Sequence, residues 1–303
     1  MGGLQGKVGV ITGGAGGIGR AIGRRFGQEG MKVVLADVLQ QPLDEAVGEL
    51  RGEGCEAIGV LTDVTDCQSV EQLAKQTLSA YGAVHVVCNN AGTGGVSEGY
   101  MWEHDLADWR WGIDVNVIGV INGIKAFVPI LLEQDDGHVV NTCSGNGSLA
   151  PIARGALGGP AMAVYPMTKA AVLCLTESLY THLQLAGSKV QAHALFPSGF
   201  LNTGIWESWR NRPEQYAPTQ ERKGPQQTLD AVLGRFEAAG LKVEFTPLEN
   251  VASQVVDGIT QGKFWMMGPP SAGDDVITKK AASIVARSEP DYLIDTLTRE
   301  AKK

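Results

Sequence analysis

The chain has 303 residues, 44% of them hydrophobic and 19% charged, and its formal net charge is -8. This composition is ordinary for a globular protein, and the negative charge provides no broad basic surface for nucleic acid or anionic lipid. Five scattered cysteines without a C-x-x-C pair indicate neither a disulfide framework nor a zinc site, and no secretory signal precedes them, so a cytoplasmic location is expected.

Seven short apolar or β-branched runs along the chain predict strands. They begin at Lys7, Lys32, Ala57, Val84, His138, Val190 and Lys263. The stretches between them are long enough for helices, and buried strands that alternate with helices are typical of a parallel sheet covered on both faces. The predicted fold class is therefore α/β, with a doubly wound (Rossmann) parallel sheet.

A single domain over residues 1–303 is expected, because the sequence shows no internal repeat. Residues 200–249 mix tryptophans and prolines with charged residues in no single period, and we interpret them as a substrate-binding lid insertion. A helix over 251–261 restores the alternation, and residues 276–303 form a C-terminal tail. The apolar stretch 115–132 contains asparagines, a lysine and a proline, which predicts a buried helix and no membrane span.

A glycine-rich loop follows the first strand and precedes a helix-like segment. It reads Thr12-Gly13-Gly14-Ala15-Gly16-Gly17-Ile18-Gly19. Glycines let the backbone approach a pyrophosphate, and the N–H groups of a helix N-terminus favour an anion. The loop therefore indicates a dinucleotide site, with a tight connection that binds nothing as the alternative.

Asp37 closes the second predicted strand, 18 residues after Gly19. An acidic residue at this place hydrogen-bonds the adenosine ribose in dinucleotide folds and repels a 2′-phosphate. No lysine or arginine follows immediately. The sequence therefore predicts NAD (NADH) in preference to NADP, although a strand-end aspartate is often only a solvated cap.

Further motifs occur in a fixed order along the chain. They are Thr12-Gly13, Gly17-Ile18-Gly19, Asn89-Asn90-Ala91-Gly92, Asn116, Ser144 and Tyr165-Pro166-Met167-Thr168-Lys169. Together they resemble the short-chain dehydrogenase/reductase family, over about the first two thirds of the chain. The resemblance implies an oxidoreductase that interconverts a small-molecule secondary alcohol and a ketone by hydride transfer.

The resemblance also implies roles for individual residues. Tyr165 transfers a proton, Lys169 binds the nicotinamide ribose, Ser144 hydrogen-bonds the substrate oxygen, and Asn116 steadies a water that relays protons through Lys169. Ser148 is a rival for the role of Ser144. The implied cofactor contacts outside the glycine loop and Asp37 are Asp63, Val64, Asn90, Ala91, Gly92, Tyr165, Lys169, Pro197, Gly199 and Thr203.

Tyr165 needs a nearby positive charge to act as a base, because a free tyrosine has a pKa of about 10. Lys169 lies four residues on, and a charge about 4 Å away is worth about 4 kcal/mol at an effective dielectric of about 20, or about three pKa units. The spacing predicts that Lys169 lowers the pKa of Tyr165. Taken alone, the two residues also fit an ordinary solvated helix pair.

Ser144 and Tyr165 are 21 positions apart, which exceeds what the family usually shows and predicts an inserted loop. The loop and its flanks carry five apolar side chains near the chemistry, those of Leu149, Ile152, Leu157, Met162 and Val164. An apolar or cyclic substrate would fit such a pocket. A surface loop that touches another subunit is the alternative.

The predicted lid carries aromatic and basic side chains. Phe200, Leu201, Ile205, Trp206 and Trp209 form a patch that would close over a substrate, and Arg210 and Arg212 would meet an anionic group. Solvated arginines are the alternative.

The predicted helices over 109–134 and 167–186 are more apolar than a one-sided helix requires. By resemblance they form a subunit interface, which predicts a homo-oligomer, a tetramer or a dimer. The histidines show no spacing suggestive of a metal site, so no metal is predicted. Two other functions stay open: a dinucleotide sensor or scaffold without turnover, and an epimerase or dehydratase.

Overall fold

The computed structural model describes residues 3–94, 100–149, 163–219, 228–238, 240, 242–269 and 274–293. Seven parallel strands form one sheet in the order β3-β2-β1-β4-β5-β6-β7. They are Val8–Thr12 (β1), Lys32–Asp37 (β2), Ala57–Leu61 (β3), Val86–Asn89 (β4), His138–Thr142 (β5), Gln191–Leu195 (β6) and Trp265–Met266 (β7). All seven predicted strands are present, and the predicted fold class is confirmed.

Helices cover both faces of this sheet. The described residues include α1 (Gly17–Gln28), α2 (Gln40–Gly52), α3 (Cys67–Tyr81), α4 (Leu106–Ile113), α5 (Gly119–Gln134), α6 (Val164–Leu185), α7 (Leu229–Ala238), α8 (Leu248–Gln261) and α9 (Asp274–Ala286). Helices α1, α2 and α8 pack on one face, whereas α3, α5 and α6 pack on the other. This arrangement is the doubly wound one that the alternation predicts.

The strands are apolar throughout because their side chains alternate between two buried faces. In β1, Ile11 faces the core that contains Phe26 of α1, whereas Val10 faces the core that contains Phe127 of α5. All four side chains are completely buried. The sheet therefore has no solvent-facing side over this region.

Residues 106–134 form one long helical stretch in which α4 and α5 are joined by a π-helical turn, Asp114–Ile118. By length and hydropathy alone this stretch could cross a membrane. Phe127 and Leu131, however, are completely buried against the sheet, and Asn122 donates a hydrogen bond to the carbonyl of Val64. The stretch is the buried core helix that the sequence predicts.

The predicted lid and tail contain regular structure. Within 200–249 lie two 3₁₀ helices, Gly204–Asn211 and Glu214–Tyr216, and α7. Helix α9 begins just before the predicted tail and none of its residues is buried.

A buried histidine, His193, and a half-buried one, His138, form a hydrogen-bonded pair between β5 and β6. His138 Nδ1 lies 3.0 Å from His193 Nε2, and His193 Nδ1 lies 2.7 Å from the carbonyl oxygen of Lys263. Since a carbonyl only accepts, His193 carries its proton on Nδ1 and accepts from His138. Burial lowers the pKa of both residues, and lowers that of His138 to about 4.

The histidine pair predicts acid sensitivity of the fold. The unfolded state takes up a proton near pH 6.5 that native His138 takes up only near pH 4, so this contribution is complete above pH 6.5 and is lost as the pH falls toward 4. The free energy of unfolding, measured in urea, should be lower at pH 4.5 than at pH 7.5. This decrease should be about 2 kcal/mol smaller in His138→Asn than in the unmodified protein. Substitution of the exposed His182 by Asn serves as the control, and equal decreases in all three proteins would contradict the assignment.

Candidate active site

The ends of β1 and β4 meet at the point where the strand order reverses, which is where open α/β sheets bind ligands. Thr12 joins the two ends. Its Oγ1 accepts hydrogen bonds from the backbone N–H groups of Asn90 (2.9 Å) and Ala91 (3.0 Å) and donates to the carbonyl of Cys88 (3.3 Å). The Asn90 side chain donates to the carbonyl of Thr12 in return (3.0 Å). Residues 12 and 90–92 therefore form one rigid unit.

The glycine loop leaves space for a ligand. Gly13 and Gly17 have φ values of 66° and 51°, which favour glycine. A Cβ on Gly19 would lie 2.1 Å from the carbonyl oxygen of Gly13, whereas a Cβ on Gly16 would meet nothing within 4 Å. Helix α1 begins without a side-chain cap at Gly16, so its first N–H groups are available to an anion. These features fit a dinucleotide pyrophosphate.

Two flanking residues complete the loop. Ile18 packs against the apolar core and anchors the start of α1. Asp37, at the end of β2, accepts hydrogen bonds from the backbone N–H groups of Ala15 and Leu39, both at 3.1 Å. Its carboxylate is therefore fixed beside the glycine loop, and Val38 and Leu39 follow it.

Asp63 and Val64 make contacts that support their own loop. Asp63 Oδ1 accepts from the backbone N–H (2.9 Å) and the hydroxyl (2.8 Å) of Thr65. Val64 packs so closely on α5 that a Cβ on Gly119 would lie 2.8 Å from it. These contacts agree with a fold-supporting role, and the adenine contact stays a prediction.

Ser144, Tyr165 and Lys169 come together at the carboxyl end of β5. Ser144 follows this strand, and its side chain lies close enough to that of Tyr165, in the first turn of α6, to lower the pKa of the phenol. Lys169 Nζ lies 5.7 Å from the centre of the Tyr165 ring and donates to the carbonyl of Thr142 (2.7 Å). A Cβ on Gly92 would lie 3.7 Å from Lys169 Nζ, so the group borders the loop that follows β4.

The predicted effect of Lys169 on Tyr165 does not hold in the protein alone. Burial raises the pKa of the Tyr165 phenol, and the Ser144 hydrogen bond lowers it only in part. Lys169 is itself buried, and burial lowers the pKa of its ammonium to about 8. The spacing estimate assumed a charge at about 4 Å in a well-solvated setting, whereas Lys169 is almost fully buried and Tyr165 is half-buried in the structure.

Asn116 occupies the π-helical turn and is almost fully buried. Its Oδ1 accepts from the backbone N–H of Thr93 (2.7 Å), and its Nδ2 donates to the carbonyl of Thr93 (2.9 Å) and to Thr168 Oγ1 (2.9 Å). Both donors of the amide are therefore engaged by the protein. Asn116 holds the loop after β4 against α6, and its role toward a water stays a prediction.

Two neighbours of Ser144 have structural roles. Ser148, the rival, donates to the carbonyl of Lys169 (2.7 Å) and accepts from the backbone N–H of Ser144 (3.3 Å). It therefore braces the group from a buried position. Cys143 is 1% exposed, and burial raises the pKa of its thiol to about 11. It is therefore a packed side chain and not a nucleophile.

The segment after β6, where the predicted lid begins, lies next to the glycine loop. In the turn after β6, Pro197 is partly exposed and Gly199 has a φ of 79°, with no room for a Cβ because one would lie 1.9 Å from the hydroxyl of Thr246. Thr203 lies 3.3 Å from where a Cβ on Gly17 would stand. The structure thus places Thr203 beside the proposed pyrophosphate site.

The arginines of the lid have carboxylate partners. Arg210 pairs with Glu207 at 3.1 Å. Arg212 is buried, forms an ion pair with Asp108 and lies over the ring of Trp111. The hypothesis that both arginines await an anionic substrate group is therefore not supported.

The aromatic side chains of the lid pack against one another. Phe200 stacks on Trp206 with ring centres 5.1 Å apart and also contacts Phe236 and Phe245. These rings therefore form a partly exposed aromatic cluster within the lid. The closure of the lid over a substrate stays a prediction.

The inserted loop lies mainly outside the described residues, and Ile152, Leu157 and Met162 fall there. At its edges, the carbonyl of Leu149 accepts a hydrogen bond from Lys280 of α9 (2.9 Å), and Val164 packs against α4. Sequence reasoning missed Lys280, because nothing in a tail sequence indicates which loop it meets. Across the described residues, no group of His, Cys, Asp and Glu side chains is arranged to hold a metal ion.

Comparison with known proteins identifies the family. Residues 7–214 match the short chain dehydrogenase family. The chain belongs to this family. It is 27% identical over 290 residues to a CLA biosynthesis dehydrogenase/reductase of Lactiplantibacillus plantarum, with 95% of this chain and 96% of that protein covered. It is 31% identical over 233 residues to the 3-oxoacyl-[acyl-carrier-protein] reductase FabG of Thermotoga maritima, with 77% and 85% covered.

Solved structures of the family carry different cofactors. A short-chain dehydrogenase/reductase from Burkholderia phymatum in complex with NAD matches with a TM-score of 0.84 and 37% identity, over 96% of this chain and 98% of that one. An actinorhodin polyketide ketoreductase with NADPH matches with a TM-score of 0.67 and 28% identity, over 87% and 94%. Family membership therefore establishes an oxidoreductase with a dinucleotide-binding fold.

The open space at Gly16 predicts a substitution that separates binding from folding. Gly16 has extended backbone angles that any residue adopts, so Gly16→Ala should change the free energy of unfolding by less than about 0.5 kcal/mol. The added methyl group should nevertheless weaken NADH binding about tenfold, because it occupies the approach of the pyrophosphate. Fluorescence titration measures the affinity and urea unfolding the stability; unchanged affinity would place the cofactor elsewhere.

Proposed function

We propose that this protein is an NAD(H)-dependent dehydrogenase/reductase that interconverts a secondary alcohol and a ketone. The observation that carries the proposal is the cluster of Ser144, Tyr165 and Lys169 at the end of β5, beside Gly92. The cluster offers a proton donor, a hydrogen-bond partner for a substrate oxygen and a buried positive charge. This combination suits proton transfer to or from an alkoxide-like oxygen.

Each residue has a defined part in the proposed reaction. The bound nicotinamide supplies or accepts the hydride. Tyr165 is protonated at neutral pH because burial raises the pKa of its phenol, so it gives a proton to the ketone oxygen during reduction and takes one back during oxidation. Ser144 holds that oxygen beside Tyr165. The ammonium of Lys169, fixed by the Thr142 carbonyl, stabilises the phenolate while it exists.

Asp37 supports the choice of NAD. Its carboxylate is held beside the glycine loop by Ala15 and Leu39, where it can accept hydrogen bonds from ribose hydroxyls and disfavours a second anion. Arg20 and Arg24, the nearest basic residues on α1, form ion pairs with Glu49. They are therefore poor candidates to bind a 2′-phosphate.

The remaining proposals concern the whole protein. We propose one domain of 303 residues, a cytoplasmic location, and an apolar or cyclic substrate bound between the lid and the 145–164 segment. Helices α5 and α6 expose Leu132, Met167 and Tyr180, which supports a subunit interface in a homotetramer or homodimer. FabG and the ketoreductase reduce carbonyl groups by name, which supports the same reaction class here.

Tyr165→Phe tests the reaction. Loss of the hydroxyl should lower kcat by about a thousandfold or more, because the proton donor is gone, and should change NADH affinity less than twofold. A panel of cyclic, aromatic and aliphatic ketones with NADH provides the assay. Tyr180→Phe, an exposed tyrosine on the same helix, is the matched control. Full activity of Tyr165→Phe would refute the mechanism, and NADH binding without turnover of any ketone would favour a sensor.

Asp37→Asn tests the cofactor preference. The amide keeps the shape and one acceptor but removes the negative charge, so the affinity ratio of NADH over NADPH should fall about tenfold. Titration of the unmodified protein and the variant with both cofactors measures the ratio. Equal affinities for the two cofactors in the unmodified protein would contradict the role of Asp37.

A further inference from the structure

Ser208 is the one buried side chain of the lid helix Gly204–Asn211. Its hydroxyl donates to the carbonyl of Ile205 (2.9 Å) and accepts from the backbone N–H of Gly94 (3.1 Å). It also lies 2.9 Å from Thr93 Oγ1. Either hydroxyl can be the donor in this contact. A polar group therefore seats this helix on the loop after β4.

From Thr93 the hydrogen bonds continue to the catalytic helix. Asn116 binds both the N–H and the carbonyl of Thr93 and donates to Thr168 Oγ1. The Thr168 hydroxyl donates to the carbonyl of Tyr165 (2.8 Å). Thr93, Asn116 and Thr168 are 2%, 1% and 0% exposed, respectively, so water does not compete for these bonds. The chain of bonds is continuous from the lid to the first turn of α6.

The lid helix is attached to the rest of the protein at two described places. Arg212, directly after the helix, forms a buried ion pair with Asp108 of α4, and Ser208 binds the loop after β4. Of these two attachments, the one at Ser208 continues through described hydrogen bonds to α6. The first turn of α6 has no side-chain cap at Ala163, and the bonds of Thr168 and Asn116 add to the Lys169–Thr142 bond that fixes this turn.

We propose that Ser208 is a latch that seats the lid, and that Thr93, Asn116 and Thr168 transmit this seating to Tyr165. All four are positioning residues. When the bond between Ser208 and Thr93 breaks, the loop beside Gly92 loses one of its attachments, and the change reaches Asn116 and the start of α6 through the bonds that follow. The seated lid thus holds Tyr165 in its working position. The inference rests on the proposed role of Tyr165.

Four variants and one control distinguish the contact at Ser208 from the residues that connect it to Tyr165. Thr93→Val keeps the shape but removes the hydroxyl, and Thr93→Ser retains it as the control. Ser208→Ala removes the latch, and the double variant Thr93→Val/Ser208→Ala tests whether the two act together. Thr168→Val breaks the chain below the latch. The kcat and KM of all five proteins are measured with the best ketone of the panel. Each protein is assayed at the same interval below its own melting temperature.

Native-state trypsin digestion reports the lid without reference to activity. Arg210 is exposed, and Arg212 precedes Pro213. Since trypsin also cuts after other basic residues such as Arg222 and Lys223, mass spectrometry of the fragments follows the cut after Arg210. Cleavage should accelerate about tenfold in Thr93→Val and Ser208→Ala, the size expected for one lost hydrogen bond. Thr93→Ser and Thr168→Val should stay within twofold of the unmodified protein. Unchanged cleavage in Thr93→Val or Ser208→Ala would overturn the latch.

Kinetics test the transmission. The ratio kcat/KM should fall about tenfold in Thr93→Val and Ser208→Ala, and no further in the double variant, because both remove the same connection. Thr168→Val should lower kcat while KM stays within twofold. Multiplicative losses in the double variant, or an unchanged kcat in Thr168→Val, would overturn the transmission. If Tyr165→Phe is fully active, the proposed function fails, whereas the proteolysis result still decides the latch.

Discussion

The buried ammonium of Lys169, bonded to the carbonyl of Thr142, is the interaction on which the rest of the site depends. Removing an ammonium from water is costly unless a partner receives it. The carbonyl at the end of β5 is that partner, and it fixes α6 to the sheet one turn from Tyr165. Ser148 binds the backbone of Lys169 and that of Ser144 at once. One strand end therefore determines the places of the three central side chains.

The same strand end explains why the tyrosine differs from a surface tyrosine. Burial favours the neutral phenol and the neutral amine alike, so each group resists the charge that proton transfer demands. In the resting site, the Ser144 hydroxyl and the Thr142 carbonyl offset part of the free-energy cost of burying these two groups. A site arranged in this way keeps Tyr165 protonated at rest and needs an additional positive charge nearby to stabilise the phenolate.

The sequence predicts much of this arrangement, because some signals are local. The seven β-branched runs, the glycine loop with Asp37, and the four-residue spacing of Tyr165 and Lys169 each lie within a short segment. The direction of the Tyr165 pKa shift was wrong because spacing gives the position of a charge and not its access to water. The partners of Arg212 and Ser208 were missed because Asp108 and Thr93 lie 104 and 115 residues away in the chain.

The hydrogen bonds of Thr12 to the loop after β4 affect the order in which the protein folds. Its bonds to Asn90 and Ala91 close over 78 and 79 residues of chain, and β2 and β3 intervene. Contacts of this range form slowly, since the loop must lose its freedom before the bonds compensate. The glycine loop is synthesised early. The loop after β4, which lies on the other side of the proposed cofactor site, takes its place only when β4 joins the sheet. Cofactor affinity should therefore appear as a late event of folding.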